Sequence, residues 1–445
     1  MRQSIRRQLG LAPALPAHAH AEEMAVISGM LDRHPEIEAL VERDIVRAGV
    51  ARHIGRNGMS ADQVLRALVV KQLNQFSYEE LAFHLLDSMT YRSFCRFGAF
   101  ESVAKKSALQ DNVRRISADT LEQINRVLVG EALHSGAEKG KRVRMDSTPV
   151  ETNIHEPSDS SLLWDVVRVL VRLLKQAEQL VAVTWSDHRR RARRRTVGII
   201  GAGNTRRQAL YRDLIKIANR TVGYAERALV LLRRKKAHAD SLVLHELEHM
   251  VPLAHRVLDQ ARRRVLDGES VPATDKVLSI FEPDTDLIVR GRRDPTYGHK
   301  LCLTVGSSSL VLDCVVEEGN PTDSTLAQKL VQRAKDVLGA APEQAVFDGG
   351  FSSRDNVAAI KSLGVRTVVF TKHLGITVDE MTQSNWLFKR LRRFRAGIEA
   401  CISFLKRCLG LARCTWRGGR SAFKAYVWSS VVAANLLTLA RHDLR

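Results

Sequence analysis

From Lys141 onward the apolar residues switch between a period of two and a period near 3.6, and the order of the switches admits few folds. Val143 and Met145 fall on one face of a strand, Arg144 and Asp146 on the other. Further on, Leu287 to Arg290, His299 to Val305 and Leu310 to Val316 are short β-branched runs. Turns at Tyr297-Gly298 and Gly306-Ser307-Ser308 part them, which predicts a meander. A helix follows from about Ser324 to Leu338, stopped by Gly339, and then a buried strand from Gln344 to Phe347. A second helix after Ser353 stops at Gly364, a strand runs from Arg366 to Phe370, and a basic amphipathic helix runs from about Trp386 to Cys408. With the helical stretch between the first two strands set aside, the order is β-β-β-β-α-β-α-β-α. Strands in a meander followed by alternating units predict an α/β chain whose mixed sheet is covered by helices.

The stretch set aside, residues 158–275, reads as a helical insert, with Leu162, Val166, Val167, Leu170 and Leu174 at helical spacing and the basic run His188 to Arg195. Residues 57–137 read as an all-α domain, because capping boxes at Ser60-x-x-Gln63, Ser77-x-x-Glu80 and Ser107-x-x-Gln110 precede apolar runs. In its first helix Val64, Leu65, Leu68, Val69 and Leu73 mark the apolar stripe, with Arg66 and Lys71 outside it. The pattern fits a helix-turn-helix-like bundle and equally a helical packing domain. Residues 1–56 read as an arm and linker. The sheet is then divided between 138–157 and 276–445.

Charge narrows the partner. Lys and Arg number 69 against 49 Asp and Glu, a formal net charge of +20, which attracts polyanions. A composition that is 44% hydrophobic with only 11 Pro excludes a disordered basic tail. No run reaches the ~18 uninterrupted apolar residues a membrane span needs. The nearest, around Val431 to Ala440, contains Asn435 and Thr438. No membrane association is expected, and nucleic acid is the expected polyanion. Arg2, Arg6, Arg7 and the apolar Leu9 to Ala17 look superficially like a leader, but Pro13 and Pro16 break the apolar part. Six cysteines without a Cys-x-x-Cys pair signal neither a zinc ribbon nor a dithiol site, so reduced thiols in a cytoplasmic protein are expected.

Three carboxylates could meet on the sheet. Asp146 closes the alternation of the first strand, and Asp348 ends a buried strand beside Gly349-Gly350, where α/β sheets bind ligands. Glu399 is the one acid among ten Lys and Arg from Lys389 to Arg420, with Arg395 one turn before it and Lys406 two turns after it. Clustered carboxylates repel unless a cation neutralises them, and hard oxygen ligands select Mg²⁺ or Mn²⁺. Two such ions would serve phosphodiester cleavage. Taken from the residues alone, unrelated cap or ion-pair roles for the three acids stay open.

The segments carrying these acids resemble those of bacterial insertion-sequence transposases with a DDE triad, most closely the ISNCY-like group. The matching stretches are Arg144 to Ile154, Gly319 to Asp323, Phe347 to Phe351, Gly364 to Val369 and Gly397 to Lys406, within a resemblance over roughly residues 57–440. It implies an RNase H-like catalytic domain, split by the insert, in which Asp146, Asp348 and Glu399 are the catalytic and metal-binding residues for two Mg²⁺ or Mn²⁺ ions. It also implies that the helical domain binds DNA, that terminal inverted repeats and target DNA are the partners, and that a homodimer or larger assembly acts on them. Cleavage at the element's ends would be followed by attack of the freed 3′-hydroxyl on target DNA, in the bacterial cytoplasm at the nucleoid. Of the related Tyr-Arg-Glu-Lys signature, Arg395, Glu399 and Lys406 match, while the Tyr position holds Arg392. Arg392, Arg395 and Lys406 are therefore expected DNA contacts, and Arg189, Arg190 and Arg191 of the basic run join them through their charge. An inactive, DNA-binding descendant is the alternative, and loss of the triad would favour it.

Other motifs compete weakly. His245-Glu246-Leu247-Glu248-His249 matches the zinc-protease H-E-x-x-H, with His255 at third-ligand spacing, but Pro252 replaces the turn glycine and no Met-turn follows. A solvated helix face is expected there. Gly198 to Gly203 is not a dinucleotide loop, because Arg206 takes the third glycine's place and no strand precedes it. Trp185 is expected to pack rather than stack on a base.

Overall fold

The computed structural model describes residues 18–46, 58–98, 101–235, 241–289, 294–372 and 375–445. The leader-like residues 1–17 lie outside it. Before the first strand come α1 (Ala19–Arg33), α2 (Pro35–Ile45), α3 (Ala61–Asn74), α4 (Tyr78–Asp87), α5 (Met89–Phe94), α6 (Lys106–Val113) and α7 (Ala118–Ser135). Strand β1 (Arg142–Glu151) leads into α8 (Asp159–Ala177), α9 (Arg189–Ile199), α10 (Asn204–Arg234) and α11 (Leu242–Ala261), then β2 (Asp286–Ile288), β3 (Thr296–Val305) and β4 (Val311–Val316). The order closes with α12 (Ala327–Leu338), β5 (Gln344–Phe347), α13 (Arg354–Ser362), β6 (Thr367–Phe370), α14 (Val378–Met381), α15 (Asn385–Cys408) and α16 (Gly419–Asp443). Two compact units result: residues 1–151 with 299–445, and residues 152–298.

The first unit is built on a mixed sheet in the order β3-β1-β5-β6, with β4 antiparallel on β3. Strands β1, β5 and β6 are parallel, and their register sets the site: Met145 lies opposite Phe347, and Phe347 opposite Phe370. The next residue of each strand, Asp146, Asp348 and Thr371, therefore emerges at one carboxyl edge. Fully buried Phe347, Phe351 and Phe370 fix that edge from below.

Helices α1 to α7 and α16 share one apolar core with the sheet. Residues 19–45, expected within an arm, form two of these helices, because Met24, Ile27, Met30, Leu31 and then Ile37, Leu40, Val41 recur at helical spacing and are buried. The capping boxes at Ser60 and Ser77 close as expected. Ser107 caps nothing, since α6 starts one residue before it, from an extended Lys105. Helix α3 departs from a one-sided stripe: Arg66 and Lys71 are buried as well. Arg66 is neutralised by Asp62 at 2.7 Å and Asp32 at 2.8 Å, and Lys71 lies 5.0 Å from the Tyr78 ring centroid.

Helix α16 is long and apolar enough to cross a membrane by length and composition, which the broken run at Val431 to Ala440 did not lead us to expect, yet 83% of its apolar window is buried in the fold. Asn435 explains how a polar residue sits there. Its amide donates to Asn125 Oδ1 at 2.7 Å and to the Val311 carbonyl at 2.8 Å, and accepts from the Val311 N–H at 2.9 Å.

In the second unit α8 to α11 pack into their own apolar core. Tyr297-Gly298, expected as a turn, is strand instead, because Leu287 and Asp286 of β2 pair with these two residues. The six cysteines are free thiols, all buried except Cys408.

Candidate active site

Asp146 ends the alternating half of β1, Asp348 follows β5, and Glu399 faces out from the middle of α15. All three converge on one guanidinium. Arg395 Nη2 stands 2.7 Å from Asp146 Oδ2 and 3.4 Å from Asp348 Oδ1, and Nη1 stands 2.5 Å from Glu399 Oε1. Arg395 and Asp146 are each 13% exposed, while Glu399 is 66% exposed. A single cation thus gathers acids from three elements at the rim of the sheet. Its Nε is buried with no hydrogen-bond partner among the described residues.

Local structure holds each acid. Asp146 Oδ1 accepts the Ser147 N–H at 2.8 Å. Asp348 opens a short 3-10 turn, Gly349–Phe351, and its Oδ1 accepts the Thr371 hydroxyl at 2.9 Å. Burial raises the Asp348 pKa, but the Gly349 N–H, the Thr371 hydroxyl and the charges of Arg395 and Lys372 outweigh it and hold the carboxyl below its ordinary range. Space requires glycine at 349 and leaves little room at 350. A Cβ at Gly349 would stand 2.6 Å from the Lys372 Cβ, and one at Gly350 would stand 3.1 Å from Asp323 Oδ2.

Sequence reasoning missed the residues that lock these elements together. Buried Arg144, two residues before Asp146, donates from Nη1 to the Phe394 carbonyl and from Nη2 to Ser309 Oγ, both at 3.0 Å, with its guanidinium 4.8 Å from the Phe394 ring centroid. It fits only because Gly397 has no side chain: a Cβ there would come within 2.8 Å of the guanidinium carbon. Asp323 accepts from Ser147 Oγ and Lys300 Nζ, each at 3.0 Å, and so ties β1 just past Asp146 to β3. Arg144, Asp323 and Gly397 all stand in the segments singled out in the sequence, which was the available signal. Their contacts span up to 253 positions and leave no periodicity to read.

The expected DNA contacts divide. Lys406 donates to the Pro149 carbonyl at 2.8 Å, joining α15 to the end of β1, and Arg392 is exposed on α15. In the second unit Arg189 pairs with Asp187 at 2.6 Å and Arg191 with Asp213 at 2.5 Å, while Arg190 is exposed. His245 and His249 are on the exposed side of α11, and Glu246 pairs with Arg172 at 3.5 Å. His255 pairs with Glu226 at 2.8 Å. Gly198 closes the last turn of α9, and residues 200–203 are the loop into α10.

Among the described residues no three His, Cys, Asp or Glu side chains form a metal-ligating group. The three carboxylates around Arg395 are hard oxygen donors already gathered by a positive charge, which is the donor chemistry a Mg²⁺-like ion takes.

The Transposase DDE domain family matches residues 259–436, which include Asp348 and Glu399 but not Asp146. The Transposase domain (DUF772) family matches residues 23–115, which cover most of α1 and all of α2 to α6. No curated protein and no solved structure matches the chain.

Proposed function

We infer the function of this chain from its family: it belongs to the insertion-sequence DDE transposases. A DDE domain implies an RNase H-like fold, with which the mixed sheet of the first unit agrees. The finer reading is that the chain, of the ISNCY-like group, binds the terminal inverted repeats of a bacterial insertion sequence and cleaves and transfers DNA strands there. The observation that supports it is the meeting of Asp146, Asp348 and Glu399 on Arg395.

In this reading Asp146, Asp348 and Glu399 would hold two Mg²⁺ or Mn²⁺ ions, which would supply Lewis-acid charge for phosphodiester hydrolysis and strand transfer. Arg395 keeps the three acids gathered and offsets one of their three charges until the DNA arrives, then turns its fork to a phosphate. Lys406 and Arg392 bind phosphates flanking it. Thr371 and the Gly349 N–H keep Asp348 ionised and aimed, and Arg144 holds α15 against β1 so that Glu399 and Asp146 share one site. Water, and later the freed 3′-hydroxyl, is the nucleophile, so no side chain becomes covalently attached. The helical region of 57–137 contacts the repeat, and Arg189, Arg190 and Arg191 add backbone contacts. The insert of 158–275 is a separate module of the catalytic domain, and the protein acts as a dimer or larger assembly in the cytoplasm, at the nucleoid.

The test is Mg²⁺- or Mn²⁺-dependent nicking of DNA carrying the element's ends, with wild type and Asp348→Ala compared after both are shown to bind. Binding by both with cleavage by wild type alone is expected. Cleavage retained by the variant would sink this assignment, and binding without cleavage by either would favour the inactive descendant.

A further inference from the structure

Within the second unit a cavity of about 490 Å³ lies between the start of α8, the first turns of α10, and the turn and loop that follow α11. Its two acids are already neutralised. Buried Asp159 accepts from Arg264 Nη1 at 3.0 and 2.9 Å and from the Gln260 amide at 3.1 Å, and Glu269 accepts from Arg263 Nε at 2.8 Å. Its donors are not met. Tyr211 is only 7% exposed, yet its hydroxyl makes no hydrogen bond among the described residues and opens into the cavity. Arg207 and Lys276, which line the same space, pair with no acid among the described residues. Arg264 directs Nη1 at Asp159, which leaves its Nη2 without a partner there. A phenol held this deeply without an acceptor is costly, so the set is a recognition surface where it opens into a cavity.

The lining selects the ligand. Two guanidinium groups, an ammonium and a phenol offer donors from three separate segments, which suits the several oxygens of a phosphate better than the two of a carboxylate. The acids argue against a DNA backbone, because phosphates spaced along a strand would meet Asp159 and Glu269 on the same wall, whereas one compact phosphate meets the donors alone. The volume is that of a small-ligand site and leaves room for an organic group behind the phosphate. The wall is also built to keep its shape. Buried Gln260 bonds Asp159 and both the N–H and the carbonyl of Val277, at 2.7 and 3.3 Å, and so fixes the loop beside Lys276. Arg264 stands on a π-helical turn, Arg262–Leu266, a backbone form frequent at functional sites.

We propose that this cavity binds the phosphate monoester of a small molecule, with Arg207 and Lys276 balancing its charge and with Tyr211 Oη and Arg264 Nη2 each donating to one of its oxygens. The site uses none of Asp146, Asp348 and Glu399, so it stands apart from the DNA reading given above. A hydrogen bond to a charged acceptor corresponds to roughly a tenfold gain in affinity or more.

The experiment is isothermal titration calorimetry of the full chain with inorganic phosphate and with phenyl phosphate, in chloride buffer of about 0.15 M ionic strength so that diffuse attraction to the basic surface is screened. Wild type should bind both saturably. Tyr211→Phe and Lys276→Gln should each weaken that binding by about tenfold. Tyr211→Phe removes only a hydroxyl that has no partner among the described residues, so its fold is preserved, which a thermal melt verifies. Arg212→Gln removes one positive charge from an exposed position of α10 outside the lining and should bind both probes as wild type does. No saturable binding by wild type, affinity unchanged in both cavity variants, or an equal loss in Arg212→Gln would overturn the proposal. Fluorescence anisotropy with a labelled blunt duplex separates the remaining source of phosphate: Tyr211→Phe should bind the duplex as wild type does, and a tenfold loss there would give the cavity to the DNA backbone and overturn the small-molecule assignment. Each of these results leaves the reading of the three acids around Arg395 untouched.

Discussion

Gly397→Ala sets helix propensity against tertiary packing. In an exposed helix interior this change stabilises by about 1 kcal/mol, because alanine loses less backbone entropy. At position 397 of α15 the new Cβ would come within 2.8 Å of the Arg144 guanidinium carbon, so the guanidinium must leave. It then forfeits two hydrogen bonds at 3.0 Å, to the Phe394 carbonyl and Ser309 Oγ, and its place over the Phe394 ring. Hydrogen bonds from a charged donor contribute roughly 1.5–3 kcal/mol each and a desolvated cation–π contact about 1 kcal/mol. After the propensity gain, Gly397→Ala should destabilise the first unit by roughly 3–6 kcal/mol. Urea unfolding followed by circular dichroism measures it. The same change in an Arg144→Ala background should turn stabilising by about 1 kcal/mol, since the clash is gone. A Gly397→Ala protein as stable as wild type, or an equal loss in both backgrounds, would refute the claim that Arg144 locks β1 to α15.

Arg395→Gln leaves Asp146, Asp348 and Glu399 without their shared cation and should destabilise the metal-free protein by about 2–3 kcal/mol, the exposed acids keeping the loss from being larger. Millimolar Mg²⁺ should restore more of the melting temperature in this variant than in wild type, and no difference in the Mg²⁺ response would contradict the site. Lys71→Met removes an amine whose pKa burial lowers to about 8, against the raising influence of Cys414 and Glu80. Because the unfolded chain holds that proton up to about pH 10.4, the variant should be more stable by about 3 kcal/mol at pH 7, and the gain should fade as pH rises from 8 to 10. A gain independent of pH would show that the ammonium is not the cause. Asn435→Leu should cost about 3 kcal/mol in a thermal melt, because the Val311 N–H and Asn125 Oδ1 lose their buried partner in the middle of α16. A neutral result would mean that water reaches the pair.

The strand and helix order after β1 was legible from periodicity, because alternating and 3.6-residue patterns are local consequences of which face is buried. The limits of α13 followed from Ser353 and Gly364, and those of β5 and β6 from short apolar runs, for the same reason. The burial of Arg66, Lys71 and Asn435 was not legible, since each is polar and is tolerated inside only by partners or an aromatic face brought by other elements. The three acids could be nominated one by one. Their meeting depends on the pairing of Met145 with Phe347 and on the crossing of α15 over β1, which Gly397 permits and Arg144 fastens. The sequence by itself determined the elements, the excess of positive charge and the segments that place the chain in its family. Only the tertiary structure decided that one guanidinium would gather acids from three elements, because contacts between residues hundreds of positions apart are set by packing and register, and neither leaves a repeat in the chain.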